Sequence, residues 1–320
     1  MNQGLIRAVD GVNLSIYRGE TLGIVGESGC GKSITARSIL RLIQPPGKIV
    51  GGQILLHQNT DASEEVIDLV ALDQGGQKIR RIRGGEVAMV FQEPMTSLSP
   101  VHTIGDQITE AIRLHQNVSQ NEARKMAVDM LARVRMVQPE RVFDQYSFSL
   151  SGGMRQRVCI AMALVCHPSL LIADEPTTAL DVTTEAQILN VMRKLQKELG
   201  MAIMFITHNL GVIAQMAERV AVMYLGQVVE VADVKTLFGE PQHPYTQALM
   251  RSIPRLGKKT GQPLESIKGT VPDPFTQLRG CRFHTRCSLM IPGVCNVIEP
   301  PLVQTAPGHE VRCHLYGEKE

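Results

Sequence analysis

The stretch LGIVGESGCGKS, residues 22–33, constrains the fold of this chain more than any other. An apolar run leads into the spacing Gly26-x4-Gly31-Lys32-Ser33, and the residues that follow have a helical pattern. Glycines between a strand and a helix let backbone N–H groups converge on phosphate oxygens, and the amino terminus of the helix adds the positive end of its dipole. The pattern is a P-loop, and it predicts nucleotide binding.

Individual positions of this loop have distinct expected roles. Lys32 is expected to reach the β- and γ-phosphates, and the hydroxyl of Ser33 is expected to bind Mg²⁺. The nucleotide-binding residues predicted from the loop are Gly26, Ser28, Gly29, Cys30, Gly31, Lys32, Ser33 and Ile34. Cys30 is compatible with this role because its position contributes mainly its backbone. A glycine-rich turn that matches by chance is the alternative, with a frequency on the order of 1% in a chain of this length.

Two further apolar runs end in polar side chains that suit phosphate chemistry. Residues 169–173 form a continuous apolar run followed by Asp174 and Glu175, and residues 202–207 are followed by His208. Continuous apolar runs are typical of strands buried in a parallel sheet, whose ligands bind beyond the carboxyl ends of the strands. Asp174 is then placed for the Mg²⁺ shell, Glu175 for polarising an attacking water, and His208 for a γ-phosphate. An acidic turn and a structural histidine are the alternatives.

A second anion-binding element is predicted between these runs. Residues 150–157 read LSGGMRQR and precede a helical run over residues 158–166. Ser151, Gly152 and Gly153 at the start of a helix present a hydroxyl and bare N–H groups to an anion. One chain therefore carries two elements of the kind that bind phosphate.

With these motifs in order, the chain resembles the nucleotide-binding subunits of ATP-binding cassette (ABC) transporters. The motifs that carry the resemblance are the P-loop at 26–33, the Q-loop glutamine Gln92, the signature at 150–156, Walker B at 170–175, the D-loop at 179–181 and the switch histidine His208. The resemblance implies an α/β P-loop NTPase with a RecA-like core, an antiparallel β edge, an inserted ABC helical subdomain and a small Cys-rich C-terminal extension. It also implies that two cassettes enclose two ATP molecules, each signature motif closing over the γ-phosphate held by the partner.

The resemblance extends the set of expected site residues. It implies catalytic roles for Glu175, His208 and Gln92, and it adds Gln156 and Asp181 to the nucleotide-binding set. The implied Mg²⁺ ligands are Ser33, Gln92 and Asp174. The domains expected are a nucleotide-binding core at 1–94 and 168–240, a helical signature subdomain at 95–167, and a C-terminal extension at 241–320. Residues 93–100 resemble the surface on which membrane subunits dock. The region from there to about residue 167 has helical periodicity at 108–114 and 123–136 and is the expected helical subdomain, and a helical insertion without a partner is the alternative.

Four stretches resemble one branch of the family, the dipeptide, oligopeptide and nickel importer ATPases. They read VAMVFQEPMTSL, LIADEPTTALDVT, MYLGQVVE and HPYTQAL. That branch implies an ATPase subunit powering peptide import, peripheral to the cytoplasmic face of the bacterial inner membrane. The partners implied are a second, non-identical ABC ATPase, two membrane permease subunits and, indirectly, an extracytoplasmic binding protein. The net charge of +2 gives no reason to expect nucleic acid.

Two alternatives to peptide import stay open at this point. An importer of the same branch could carry nickel or another non-peptide cargo, since the other subunits mainly set the cargo. A soluble ABC ATPase of DNA repair or translation is the alternative from a different class. Such proteins commonly carry paired cassettes or long insertions, and neither is seen in this sequence.

The chain departs from the family pattern at three places. No aromatic residue precedes Tyr17, which lies too close to the P-loop to match the position that stacks on adenine. Either the natural start lies upstream of Met1 or adenine binding is weakened, and we expect the first. Asn209 follows the switch histidine where aspartate is common, and residues 147–149 read SFS where Pro-His-Gln is usual.

Four of the seven cysteines cluster near the end of the chain, at Cys281, Cys287, Cys295 and Cys313. No run approaches the roughly 18 apolar residues of a membrane span, and the start lacks the pattern of a signal peptide. The chain is therefore expected in the cytosol or on the cytosolic face of a membrane, where disulfides are disfavoured. Four thiolates suit zinc or a [4Fe–4S] cluster, and the absence of C-x2-C knuckles favours iron–sulfur.

The branch carries a similar four-cysteine extension, which strengthens the preference for iron–sulfur. His284, His309 and His314 are spare ligands that keep zinc open. Four reduced structural thiols are the alternative to a metal centre. An electron-transfer role for the extension is disfavoured because no flavin or nicotinamide site accompanies it.

Overall fold

The computed structural model describes residues 5–59, 64–92, 97–178, 180–252, 267–273, 275–276 and 278–317. The described strands are β1 (Thr21–Val25), β2 (Leu55–Asn59), β3 (Glu64–Asp68), β4 (Val87–Val90), β5 (Leu170–Asp174), β6 (Ala202–Ile206), β7 (Arg219–Tyr224), β8 (Gln227–Asp233), β9 (Val303–Ala306) and β10 (His309–Val311). The described α-helices are α1 (Lys32–Ile39), α2 (Gln77–Gly85), α3 (Ile104–His115), α4 (Gln120–Arg133), α5 (Pro139–Phe143), α6 (Gly152–Leu164), α7 (Val182–Leu199), α8 (Leu210–Met216), α9 (Val234–Gly239) and α10 (Pro244–Arg251).

The chain divides into two compact units. The first unit comprises Met1–Ser15, Leu22–Thr35 and Thr207–Glu320, and the second comprises Ile16–Thr21 and Ala36–Ile206. The domain boundaries expected from the sequence stay a prediction. None of the helices in the described ranges combines the length and apolarity needed to cross a membrane.

In the first unit the strands lie in the order β1, β7, β8, β10, β9. β1 pairs in parallel with β7, with Gly23 opposite Val220, and the remaining pairs are antiparallel. A two-residue turn joins β7 to β8, and both of its residues, Leu225 and Gly226, have positive φ, as tight hairpins favour. β1, β7 and β8 are buried almost throughout, as the largely apolar sequences of β1 and β7 predict, and β8 also buries the polar Gln227 and Glu230.

The C-terminal extension belongs to the core of the first unit. β10 pairs with β8, so the extension lengthens the antiparallel edge of the sheet. The extension also places Phe283 against two buried rings, with ring centroids 5.3 Å from Tyr224 and 5.4 Å from Tyr245. Residues 254–280 are rich in proline and glycine, which predicts a linker, and they lie mostly outside the described residues, which resume at residue 267.

In the second unit β4, β5 and β6 form parallel pairs, with Leu170 opposite both Val87 and Ala202. The hairpin of β2 and β3 is a separate two-stranded sheet. Because β4 and β5 run in parallel, their carboxyl ends meet at one edge. Gln92, soon after β4, and Glu175, directly after β5, therefore emerge side by side.

Helices α3 to α6 account for most of the region expected to be helical. α3 buries Ile104, Ile108 and Ile112 at a four-residue spacing, as an amphipathic helix does. Its start is set by a capping box in which Thr103 and Asp106 exchange hydrogen bonds. Ser119 begins α4 in the same way. These caps place the starts of α3 and α4 a few residues before the helical periodicity seen at 108–114 and 123–136.

Candidate nucleotide-binding site

The P-loop connects β1 to α1 in the first unit. At two of its positions, neighbouring backbone lies so close that only glycine fits. Gly26 has φ 153°, and a Cβ there would lie 2.2 Å from the carbonyl oxygen of Met223. Gly31 has φ 104°, and a Cβ there would lie 2.3 Å from the carbonyl oxygen of Ala8. Both positions combine a backbone conformation that L-residues rarely adopt with a steric block. The end of β7 and the N-terminal segment therefore shape the loop.

The ammonium of Lys32 lies within this loop. Its Nζ donates to the carbonyl oxygens of Gly26 at 2.8 Å and Glu27 at 3.1 Å, and the side chain is almost fully buried. Nζ also lies 3.7 Å from the sulfur of Cys30. Burial raises the pKa of the Cys30 thiol, with the lysine charge acting in the opposite direction. All three partners are neutral, so the loop keeps a positive charge for an anionic ligand.

The other predicted loop residues surround this charge. Ser28 and Gly29 are exposed at the tip, while Ser33 and Ile34 lie half-buried in the first turn of α1. The amino terminus of α1 thus presents its first N–H groups next to the Lys32 ammonium. This arrangement suits a phosphate chain.

In the second unit Glu175 is held at the carboxyl end of β5. Its φ is 48°, an uncommon value for a residue with a side chain, and its N–H donates to Ile206 at 2.9 Å. Its Oε2 accepts from Thr178 Oγ1 at 3.0 Å and from Gln92 Nε2 at 3.3 Å. Neutral donors therefore orient a carboxylate that can accept a proton from water. A hydroxyl three residues after the carboxylate was a signal that could have pointed to Thr178.

Asp174, the last residue of β5, is buried. It precedes Glu175 at the same strand end, so two predicted acidic residues lie on one edge of the sheet. A buried carboxylate at such a position is suited to holding a cation.

The switch histidine His208 is exposed in the first unit. The N–H of the preceding Thr207 donates to the carbonyl oxygen of Ile24 in β1 at 3.2 Å. This bond ties the segment carrying His208 to the strand that leads into the P-loop. Asn209 is the N-cap of α8, with its side chain accepting from the N–H of Gly211 at 3.0 Å. Asparagine and aspartate cap helices about equally well, which explains locally why asparagine is accepted here.

The signature element forms the start of α6 in the second unit. Ser151 is the N-cap, and its hydroxyl accepts from the N–H of Met154 at 3.4 Å. Ser151 and Gly152 are exposed, as an anion-binding surface requires. A Cβ at Gly153 would lie 2.6 Å from the side chain of Thr184 in α7. The amino termini of α6 and α7 therefore pack closely, and glycine permits that contact.

Asp181 and Gln156 have structural environments that the sequence did not reveal. Asp181 caps α7 by accepting from the N–H of Thr184 at 2.9 Å, and this bond lowers the pKa of its carboxyl. Gln156 is 1% exposed, and its Nε2 has no hydrogen-bond partner within the described part of the chain. Their predicted nucleotide contacts stay predictions. Ala179 of the D-loop and residues 93–96 of the predicted docking surface lie outside the described residues.

Arg155 was not predicted and holds the segment before the signature. Its Nε donates to the carbonyl oxygen of Ser147 at 2.7 Å, and a terminal nitrogen donates to that of Phe148 at 3.2 Å. The acceptors are backbone atoms, so the unusual side chains at 147–149 leave these bonds intact. Sequence carries no signal for such contacts.

Comparison with known proteins identifies the family. Residues 9–178, slightly more than half of the chain, match the family described as ABC transporter. The chain belongs to this family. Residues 229–295 match the oligopeptide/dipeptide transporter C-terminal region.

Relatives and a solved structure agree with this assignment. The oligopeptide transport ATP-binding protein AppD of Bacillus subtilis is 49% identical over 98% of this chain and 92% of its own length. The dipeptide transport ATP-binding protein DppD of the same organism is 45% identical over 99% and 91%. A dimeric post-hydrolysis structure of the ATP-binding cassette MJ0796 with ADP and Pi is 30% identical, with a TM-score of 0.58 over 71% of this chain and 90% of that one. The α/β ABC ATPase fold expected from the sequence is confirmed.

The sequence predicts a metal centre at the four cysteines near the end of this ABC chain. Across the described ranges, no group of three or more His, Cys, Asp or Glu side chains is arranged to hold a metal ion. Cys281, Cys287, Cys295 and Cys313 are all unpaired by disulfides. Burial raises the pKa of Cys281 to about 11, and the other three thiols act in the same direction. The predicted [4Fe–4S] or zinc centre therefore receives no support from this arrangement.

One ring nitrogen of each spare histidine ligand contacts an oxygen atom. His284 Nδ1 lies 2.6 Å from the carbonyl oxygen of Cys281, and His314 Nε2 lies 2.8 Å from that of Ile298. His309 Nε2 lies 2.8 Å from a carboxylate oxygen of the buried Glu230. These contacts use one ring nitrogen of each histidine to join parts of the first unit.

Proposed function

We propose that this chain is the ATP-hydrolysing subunit of an ABC importer that carries peptides. The observation that carries the proposal is the presence, in one chain, of an ABC cassette and a matching oligopeptide/dipeptide transporter C-terminal region. Two relatives of nearly the same length are named for oligopeptide and dipeptide transport. Hydrolysis of ATP supplies the energy for transport.

The residues divide the proposed chemistry among them. The P-loop, with Lys32 and the amino terminus of α1, binds the phosphates. Ser33, Gln92 and Asp174 are the residues proposed to hold Mg²⁺, which would neutralise charge on the phosphates when bound. Glu175, oriented by Thr178 and Gln92, accepts a proton from the attacking water.

The remaining proposed roles concern the γ-phosphate. His208 is its proposed contact in the same chain, and Ser151 and Gly153 meet the γ-phosphate held by a partner cassette. No step is assigned to the predicted cysteine centre.

Assembly with membrane subunits is part of the proposal. The partners are a second, non-identical ABC ATPase, two permease subunits and, through them, an extracytoplasmic binding protein. The place of action is the cytoplasmic face of the bacterial inner membrane. A cavity of about 690 Å³ beside Phe91 and Gln92 in the second unit supports docking of a permease segment there. The related cassette solved as a dimer supports the pairing of two ATPases.

The experiment that tests the catalytic assignment is the ATPase rate of Glu175→Gln. We expect a loss of about 100-fold or more, because a neutral amide cannot accept the proton. Glu110→Gln, the same change on an exposed face of α3, is the matched control and should keep the wild-type rate. Equal ATPase rates for wild type and Glu175→Gln would contradict the assignment of Glu175 as the general base.

A second experiment separates the importer from the alternative functions. The native protein is purified from detergent-solubilised membranes, and the proteins that accompany it are identified. Two integral membrane subunits are the expected companions, and persistent absence of both would favour a soluble ABC ATPase. Transport of labelled di- and oligopeptides by the reconstituted complex, with Ni²⁺ as the competing cargo, then tests the cargo.

A further inference from the structure

An ion pair connects the C-terminal extension to the P-loop within the first unit. Glu27 directly follows Gly26 in the loop, and Arg286 lies 259 residues further along the chain. The two terminal nitrogens of Arg286 donate to the two carboxylate oxygens of Glu27, at 2.7 Å and 3.1 Å. The Arg286 side chain is 3% exposed and that of Glu27 is 26% exposed. The pair is bidentate and largely shielded from water, the geometry in which arginine binds carboxylate most strongly.

Glu27 is also held through its backbone. Its N–H donates to the hydroxyl of the fully buried Tyr245 in α10 at 2.9 Å. Its carbonyl oxygen accepts from Lys32 Nζ at 3.1 Å. One residue therefore connects two parts of the extension, α10 and the segment that carries Arg286, with the lysine that is proposed to meet the phosphates.

The surroundings of Arg286 restrict its movement. The hydroxyl of Tyr224 accepts from Arg286 at 3.3 Å, and Nε donates to the carbonyl oxygen of Lys268 at 3.1 Å. The guanidinium lies 5.8 Å from the ring centroid of Tyr224 and 6.0 Å from that of Phe283. An arginine held on several sides is a fixed point from which the loop can be positioned.

We propose that Arg286 is a positioning residue for the P-loop, acting through Glu27, so that the C-terminal extension sets the affinity for nucleotide. Without Arg286, an unpaired carboxylate sits in a loop built to bind anions, and the carbonyl that contacts Lys32 loses its fixed position. Both effects weaken phosphate binding. The inference rests on the proposed function, because it assumes that the loop binds ATP.

The test measures the Kd of full-length protein for Mg²⁺·AMP-PNP by isothermal titration calorimetry. We expect Arg286→Ala to raise Kd about tenfold, within the roughly 5- to 150-fold usual for coupling between sites. Arg286→Lys keeps the charge but loses the bidentate geometry, so its Kd should lie between that of the wild type and that of Arg286→Ala. Adding Glu27→Gln to Arg286→Ala removes the unpaired carboxylate and should recover part of the lost affinity. In steady-state hydrolysis, KM for ATP should rise with kcat nearly unchanged.

Arg312→Ala is the matched control. Arg312 lies in the same extension, and it donates to the carbonyl oxygens of Val228 in β8 at 3.2 Å and of Pro300 at 3.3 Å, neither of which belongs to the P-loop. We expect it to lower the thermal unfolding midpoint without changing Kd. If Arg286→Ala does not fold, Arg286→Gln takes its place with the same expected result.

Two outcomes overturn the inference. One is a wild-type Kd in Arg286→Ala, and the other is the same Kd in Arg286→Ala with and without Glu27→Gln, which would show that the effect does not pass through Glu27. Absence of AMP-PNP binding to wild type would instead refute the proposed function. The two failures are therefore distinguishable.

Discussion

The buried imidazole of His243 leads to a stability prediction that depends on pH. His243 caps α10, with Nδ1 accepting from the N–H of Tyr245 at 3.0 Å. Burial lowers its pKa from 6.5 to about 3, and a hydrogen bond with the backbone of Arg312 opposes this only in part. The folded chain therefore keeps this imidazole neutral over a pH range in which the unfolded chain protonates it.

The two pKa values fix the direction and size of the effect. Below pH 6.5 the unfolded state binds a proton that the folded state does not, so the free energy of unfolding falls as the pH falls toward 3. The contribution is complete above the unfolded pKa and is lost progressively below it. For one site with these values, lowering the pH from about 7 to about 5 removes about 2 kcal/mol of stability.

His243→Asn tests this reasoning. Asparagine also accepts at an N-cap, so the cap is kept while the titrating group is removed. Unfolding by urea, followed by circular dichroism, gives the stability of both proteins at each pH. Between about pH 7 and about pH 5 the wild type should lose about 2 kcal/mol more than the variant. His102→Asn, at an exposed histidine, is the control and should match the wild type.

Equal pH dependence of wild type and His243→Asn would refute the prediction. An NMR titration of the His243 ring in the folded protein gives an independent check. A midpoint near the unperturbed value of about 6.5 would show that burial does not hold this imidazole neutral.

Two further predictions concern the helical region and the cysteines. Gly105→Ala in α3 would place a Cβ 2.2 Å from the ring of Phe143, so we expect a loss of about 1–3 kcal/mol in unfolding free energy, whereas Gly239→Ala, with nothing within 4 Å, should be nearly neutral. Equal urea unfolding midpoints for Gly105→Ala and Gly239→Ala would contradict this expectation. Iron–sulfur ligation by the four cysteines predicts a brown protein absorbing near about 400 nm after anaerobic purification. A colourless protein with stoichiometric zinc would contradict iron–sulfur, and one with neither metal would leave four structural thiols.

Local sequence was enough wherever a short window sets both structure and chemistry. Leu22 to Ser33 predicts a strand, a loop and a helix because glycine positions and an apolar run leave few other conformations. The strand ends carrying Asp174 and Glu175 followed from the same logic. The helices begin a few residues before the periodicity predicted from the sequence. A capping box such as that of Thr103 and Asp106 starts a helix at polar residues, which apolar periodicity does not mark.

Contacts between distant residues could not be predicted in this way. Arg286 and Glu27 are separated by 259 residues and His309 and Glu230 by 79, and no local pattern marks either pair. One ring nitrogen of each histidine that the sequence suggested as a spare zinc ligand meets a backbone or carboxylate oxygen. A buried polar side chain needs a hydrogen-bond partner. Which group becomes that partner depends on which distant segments the fold packs beside it.

The sequence by itself determined that this chain is an ABC ATPase, because phosphate chemistry requires particular residues at short, ordered spacings. Only the tertiary structure decided that the extension reaches the P-loop through Arg286 and the sheet through β10. The physical reason is that the residues of each motif lie within one short segment of backbone. The free energy that an ion pair or an added strand contributes depends on desolvation and packing, and these arise only after distant segments have come together.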